Sequence, residues 1–257
     1  MKNMRYTDLA CEENAEKQQS YEIYTKELYG ITTINFVSKE SLITENITLY
    51  TGKCWKYNKE YVSSVKNALS LCISSMVFHQ GKGSSRILVA GLGNRSIKSD
   101  SLGPSVVDML YPAVDKDKFA NEIRLTCPGV EGQSGFSSFE MIKKASEMMD
   151  ASLLIAIDSL CAIGTERLAS TIQLSATGIL PGSGIGNHKK EISKNTLGIP
   201  VISIGVPTVS NLGALTKSEE LYGLYVSPND IDFTIESMSQ IISASILNSL
   251  YKSRKRE

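Results

Sequence analysis

The chain has 257 residues, long enough to bury a sizeable core in one large domain or two small ones. Hydrophobic residues make up 42% and charged residues 21%, ordinary globular proportions. Lysine plus arginine equals aspartate plus glutamate at 27 each, so no net field draws the protein to nucleic acid or to an acidic membrane surface.

Residues 1–29 read as polar, irregular or partly helical, with no apolar run of signal-peptide length. "ITTINFVS" and "NITLYT" predict two strands from their β-branched content and partial alternation. "YVSSVKNALSLCISSMVFH" has apolar residues at helical spacing, ended by "QGKGSS". A run of α/β units follows: strand "RILVAG", helix "LGPSVVDML", strand "EIRLTC", loop "PGVEGQSG", helix "SFEMIKKASEMM". "SLLIAID" is the most apolar strand, as suits a central strand covered on both faces. "STIQLS" is a strand that runs into the glycine-rich "ATGILPGSGIGN". "IPVISIGVP" is another buried strand, and "DIDFTIESMSQIISASILNSLY" a terminal amphipathic helix. The longest aliphatic runs are too short to span a bilayer.

This order predicts an α/β fold, a three-layer sandwich with a mostly parallel central sheet. Its core covers residues 83–251. Residues 9–82 form an N-terminal β arm and helix packed on that core, and residues 252–257 a charged, solvated tail. The five cysteines, Cys11, Cys54, Cys72, Cys127 and Cys161, are odd in number and contain no CxxC pair. Reduced thiols in a cytosolic protein fit this better than a disulfide framework or a zinc site.

The stretch "AGLGNRSIKSDSLGP" (residues 90–104) has the strand, glycine turn and helix of a nucleotide-binding loop. A dinucleotide fingerprint needs a third glycine where Ser96 stands, and "GSGIGNHKK" misses the register of a Walker loop. Gly91 and Gly93 then serve only to permit a tight turn.

Two aspartates suggest other chemistry. Asp158 ends the buried run "LLIAI", and Asp100 lies on the loop after "RILVAG". Carboxyl ends of strands line the binding crevice of open α/β sheets, so the topology can bring both carboxylates to one crevice. Paired carboxylates suit hydrolysis: one takes a proton from water, and the other, its pKa raised by crowding, donates to the leaving group. The simpler alternatives remain open at this point: Asp100 as a helix cap and Asp158 as an Asx turn. His79 and His188 lack metal-ligand spacing, and "GQSGF" fails as a nucleophile elbow.

The motifs "GLGN", "DSLGP", "CPGVEGQSG", "AIDSLCA" and above all "ERLASTIQLSATGILPGSGIGNHKKEISKNTLGIPVISIGVPTV" resemble those of the germination proteases of spore-forming bacteria, closely over residues 86–209. The resemblance implies an endopeptidase that degrades small acid-soluble spore proteins at germination, in the cytoplasm of the spore core. It implies an atypical aspartic peptidase with a fold similar to hydrogenase-maturation peptidases, its catalytic aspartates falling on Asp100 and Asp158. It also implies a zymogen that trims its own N-terminus. "RYTDLACEE" matches the processed stretch, which puts the cut between Asp8 and Leu9 and makes residues 1–8 the propeptide.

The glycine-rich loops, through Gly129, Gly132, Gly182, Gly184 and Gly186, are expected to line the substrate groove with exposed backbone N–H groups. No cofactor and no metal is expected, because neither histidine falls where the maturation relatives hold nickel. The family's longer segment after "GVPTV" is reduced here to "SNLGALTKSEELYG", which bears on the homo-oligomer that the family implies. Two rivals stand beside the peptidase: a non-catalytic relative that binds a peptide or protein, and a metal-dependent maturation-type peptidase.

Overall fold

A computed structural model describes residues 19–81, 86–116, 123–182 and 189–254. Among the described residues, nine strands form one sheet: β1 (Tyr21–Leu28), β2 (Ile31–Ser38), β3 (Thr44–Tyr50), β4 (Ile87–Gly91), β5 (Ile123–Thr126), β6 (Leu153–Ala162), β7 (Thr171–Ser175), β8 (Val201–Asn211) and β9 (Tyr225–Val226). Their spatial order is β1-β2-β3-β7-β8-β6-β4-β5, with β9 on β8. The parallel part is β8-β6-β4-β5, and β1, β2, β3 and β7 continue it in antiparallel pairing. The N-terminal strands therefore extend the same sheet that carries the α/β units.

The parallel strands are continuous apolar runs because both faces are covered. Helices α1 (Lys59–Gly81), α2 (Leu102–Lys116) and α4 (Ile231–Arg254) bury one face, around Val89, Ile155, Ile157, Ile202 and Ile204. Helix α3 (Ser138–Met149) buries the other, with Phe139 and Ile142 against Leu88, Ala90, Leu154 and Ala156. Helix, sheet, helix makes three layers, as the chain order predicts. A capping box starts α3: Ser137 Oγ accepts from the Glu140 N–H while the Glu140 carboxylate accepts from the Ser137 N–H.

The sequence reading of residues 1–29 as irregular or partly helical is corrected over Tyr21–Leu28 by β1, which pairs with β2 from Tyr21–Ser38 to Leu28–Ile31; residues 1–18 lie outside the described residues. The strand is exposed on both faces along most of its length, so no burial alternation is imprinted on it. The signal lay in the turn: Tyr29 and Gly30 both have positive φ, the two-residue link that matches strand twist. The shortened segment after β8 forms a single helical turn at Leu212–Thr216 and then β9. Among the described residues, no helix is long and apolar enough to cross a membrane.

Candidate active site

The glycine turn is a close crossing of three backbones. Leu92 donates its N–H to the Ile157 carbonyl at 2.8 Å, extending the β4–β6 ladder one step past Gly91. A Cβ at Gly91 would lie 2.3 Å from the Gly103 carbonyl oxygen, and one at Gly103 would lie 2.4 Å from that of Leu92 and 2.5 Å from that of Ile157. Glycine at these positions lets the first turn of α2 rest directly on the strand ends. Gly93 has φ +111°, and a Cβ there would lie 2.0 Å from the Asp100 carbonyl oxygen and 2.9 Å from its Oδ1.

The amides of Asn94, Ser96, Ile97 and Asp100 are engaged within the turn. Asn94 N–H donates to the Asp100 carbonyl and to Asp100 Oδ2, both at 2.9 Å. Ser96 N–H donates to Asn94 Oδ1, Ile97 N–H to the Asn94 carbonyl, and Asp100 N–H to the Ile97 carbonyl. These four donors are turned inward and are not offered to a phosphate, which needs them turned outward. The turn instead fixes Asp100, whose carboxylate bonds back to Asn94 rather than forward to an α2 amide as a helix cap would.

Asp158 lies on β6 opposite Gly205 of β8, which in turn faces Gln173 of β7. By strand alternation it shares a face with Ala156 and Leu160. It is 6% exposed, and its Oδ1 accepts the Ser159 N–H at 2.9 Å. Ile179 packs against the apolar group that includes Ala156 and also against Leu160 with Ala162. The apolar cover on that face therefore lies on both sides of the aspartate. The single 3-10 turn Lys98–Asp100 packs against β6, β8, α2 and α4. Asp100 thus stands on the turn that follows β4, and Asp158 lies within the neighbouring strand β6, which runs on to Ala162 still paired with β8; the sequence reading of Asp158 at the carboxyl end of its strand is corrected, because the ladder to β8 carries the strand past the aspartate.

Burial pushes the Asp100 carboxyl above the usual range, offset in part by the Asn94 N–H and by the charge of Lys189. Two other cations near the turn are engaged by carboxylates: Arg95 forks onto Asp108, and Lys98 pairs with Asp232 at 3.5 Å. Sequence reasoning missed Asn94, Arg95 and Lys189. For Asn94 a signal existed, an Asx turn inside "GNRS".

Gly129 follows β5 with φ +68°, its carbonyl accepting from Ser138 Oγ at 3.1 Å. Gly132 sits in a single helical turn, Glu131–Ser134, where the sequence suggested an irregular loop. Gly182 is half-buried with φ +72°, three residues past Ile179, which bridges to Ile192. Gly184, Gly186, His188, Asp8 and Leu9 lie outside the described residues. Among the described residues, no group of three or more His, Cys, Asp or Glu side chains could hold a metal ion.

The germination protease family model, peptidase A25, matches residues 16–222. A germination protease of Clostridium acetobutylicum is 29% identical over 296 residues, covering 93% of this chain and 90% of that protein. One of Bacillus cereus (strain AH187) is 36% identical over 237 residues, covering 82% of this chain and 64% of that protein. Among solved structures, the NiFe hydrogenase maturation protease HycI of Thermococcus kodakarensis KOD1 aligns with TM-score 0.45 and 15% identity, over 68% of this chain and 99% of that one. The chain belongs to the germination protease family.

Proposed function

We propose that the chain is an endopeptidase of small acid-soluble spore proteins, acting in the spore core through Asp100 and Asp158. The reading is carried by one observation: the turn that locks Asp100 to Asn94 packs against β6, the strand that ends its apolar run at Asp158. Asp158 takes a proton from a water whose oxygen attacks the peptide carbonyl carbon. Asp100, its carboxyl raised by burial, carries the proton that passes to the amide nitrogen as the C–N bond breaks. The products are a carboxylic acid and an amine, and exchange with solvent returns the proton from Asp158 to Asp100. The loops through Gly129, Gly132 and Gly182 line the groove that holds the substrate extended.

The protein is made as a zymogen that loses residues 1–8 by cleavage between Asp8 and Leu9, and it works as a homo-oligomer without metal or cofactor. The test is cleavage of a purified small acid-soluble spore protein by wild type, Asp100→Asn and Asp158→Asn. Cleavage by wild type and by neither variant is expected. Cleavage at the wild-type rate by either variant overturns the mechanism.

A further inference from the structure

The sheet ends on an open strand. β1 pairs with β2 from Tyr21–Ser38 to Leu28–Ile31 with no shift of register, and among the described residues no strand lies on its other side. Its eight residues, YEIYTKEL, include neither proline nor glycine. Ile23 and Tyr24 are 47% and 46% exposed. A long, regular, partly apolar edge is a template for another strand, and proteins that stay single blunt such an edge with a bulge, a proline or a cover.

The backbone groups on that edge follow from the turn. Tyr29 and Gly30, both with positive φ, form a two-residue turn, which makes Leu28 and Ile31 a hydrogen-bonded pair. Bonded and non-bonded pairs alternate along an antiparallel ladder, so Lys26, Tyr24 and Glu22 also turn their backbone groups to β2. Two side chains of β2 agree: Thr33 Oγ1 donates to the Lys26 carbonyl at 3.2 Å, and Asn35 Nδ2 to the Tyr24 carbonyl at 3.5 Å. Tyr21, Ile23, Thr25 and Glu27 therefore turn their N–H and C=O groups outward.

A second β1 running antiparallel must set outward groups against outward groups. The two-fold axis then falls on a residue, never between two, and only Tyr24 or Thr25 keeps seven residues in register. An axis on Thr25 sets Glu22 against Leu28 and Ile23 against Glu27. An axis on Tyr24 sets Glu22 against the second copy's Lys26, twice by symmetry, with Ile23 against Thr25 and Tyr24 against itself. Glu22, Tyr24 and Lys26 share one face of the strand, where the Tyr24 hydroxyl donates to the Glu22 carboxylate. They fall in the non-bonded pairs of the new ladder, where side chains approach most closely. Charge complementarity thus selects the axis on Tyr24.

We propose that two copies of the chain join β1 to β1, antiparallel about Tyr24, into one continuous sheet. This contact is the interface of the homo-oligomer proposed above, and rests on that reading.

The test is the mass of the full chain in solution over a range of concentration, by size-exclusion chromatography with light scattering. It compares wild type, Thr25→Pro, Lys26→Glu and the double swap Glu22→Lys with Lys26→Glu, with melting temperatures to show that each is folded. Thr25→Pro removes an outward N–H and spares the β2 ladder. Lys26→Glu turns both cross-copy attractions into repulsions. Wild type should run at no less than twice the chain mass. Each single variant should weaken the association roughly tenfold or more, and the double swap should restore it. Tyr24→Cys, whose sulfurs meet on the axis, should be cross-linked by oxidised glutathione faster than Thr25→Cys. An assembly unmoved by Thr25→Pro and Lys26→Glu overturns the inference and leaves the homo-oligomer standing. A loss in Lys26→Glu that the double swap fails to restore overturns the pairing about Tyr24. A wild type that is monomeric at every concentration overturns the homo-oligomer, and the inference with it.

Discussion

Asn94 and Asp100 are joined twice, one N–H meeting both the backbone carbonyl and the carboxylate of the same aspartate at 2.9 Å. The glycine turn is thereby a holder for one side chain. Its conformation and its chemistry depend on the same residue, so substitutions within it separate fold from function sharply.

Asp100→Asn should abolish cleavage yet leave the fold no weaker at neutral pH. Burial raises the folded-state pKa of Asp100, so ionising it costs stability. That cost is absent below the ordinary aspartate range near about pH 4, grows as pH rises through the raised value, and is fully present above it. Asparagine removes the cost and can still accept the Asn94 N–H. The melting temperature of Asp100→Asn should equal or exceed that of wild type at pH 7, and the gap should close as pH falls below about 4. Turnover should drop by roughly 10²–10⁴, the usual contribution of a general acid.

Gly103→Ala and Gly93→Ala should each cost more than about 2 kcal/mol, measured by denaturant unfolding. At Gly103 the new methyl meets two backbone oxygens at 2.4 and 2.5 Å, which forces α2 off the strand ends. At Gly93 the left-handed φ adds strain to a 2.0 Å clash with the Asp100 carbonyl. Gly132→Ala, with open space around its would-be Cβ, is the control and should leave stability within about 0.5 kcal/mol.

Much of this was legible in the sequence, for reasons tied to burial. "SFEMIKKASEMM" reads as a helix because its apolar residues recur at helical spacing, and it folds as Ser138–Met149. "LLIAID" reads as a central strand because both faces are covered, but the strand's run past Asp158 to Ala162 was not legible, since it depends on pairing with β8. β1 was not legible, since an edge strand exposed on both faces has no alternation to show. Nor was the join of the N-terminal arm to the core sheet, which depends on β3 pairing with β7 across more than 120 residues of chain.

The thiols should separate by reactivity. Cys72 is buried in the apolar core, and burial pushes its thiol up to about 12. Cys127 is half-buried at the end of β5, and Arg95 partly offsets the upward push of burial there. Iodoacetamide at neutral pH should alkylate Cys127 well before Cys72, read by peptide mass spectrometry. Equal labelling of the two in the folded protein would contradict the packing described for α1.

A core truncation gives a reference for the scale of these effects. Ile155, fully buried on β6 between β4 and β8, should cost about 2–5 kcal/mol when cut to alanine. Thermal or denaturant unfolding measures it, and turnover of the folded fraction should be unchanged.

The most direct test of the two-aspartate account is the intact mass of the purified chain over time at mildly acidic pH, wild type beside Asp158→Asn, each with a purified small acid-soluble spore protein. The account predicts that wild type loses residues 1–8 and fragments the added protein, while Asp158→Asn keeps both intact. Fragmentation by Asp158→Asn at the wild-type rate would contradict it.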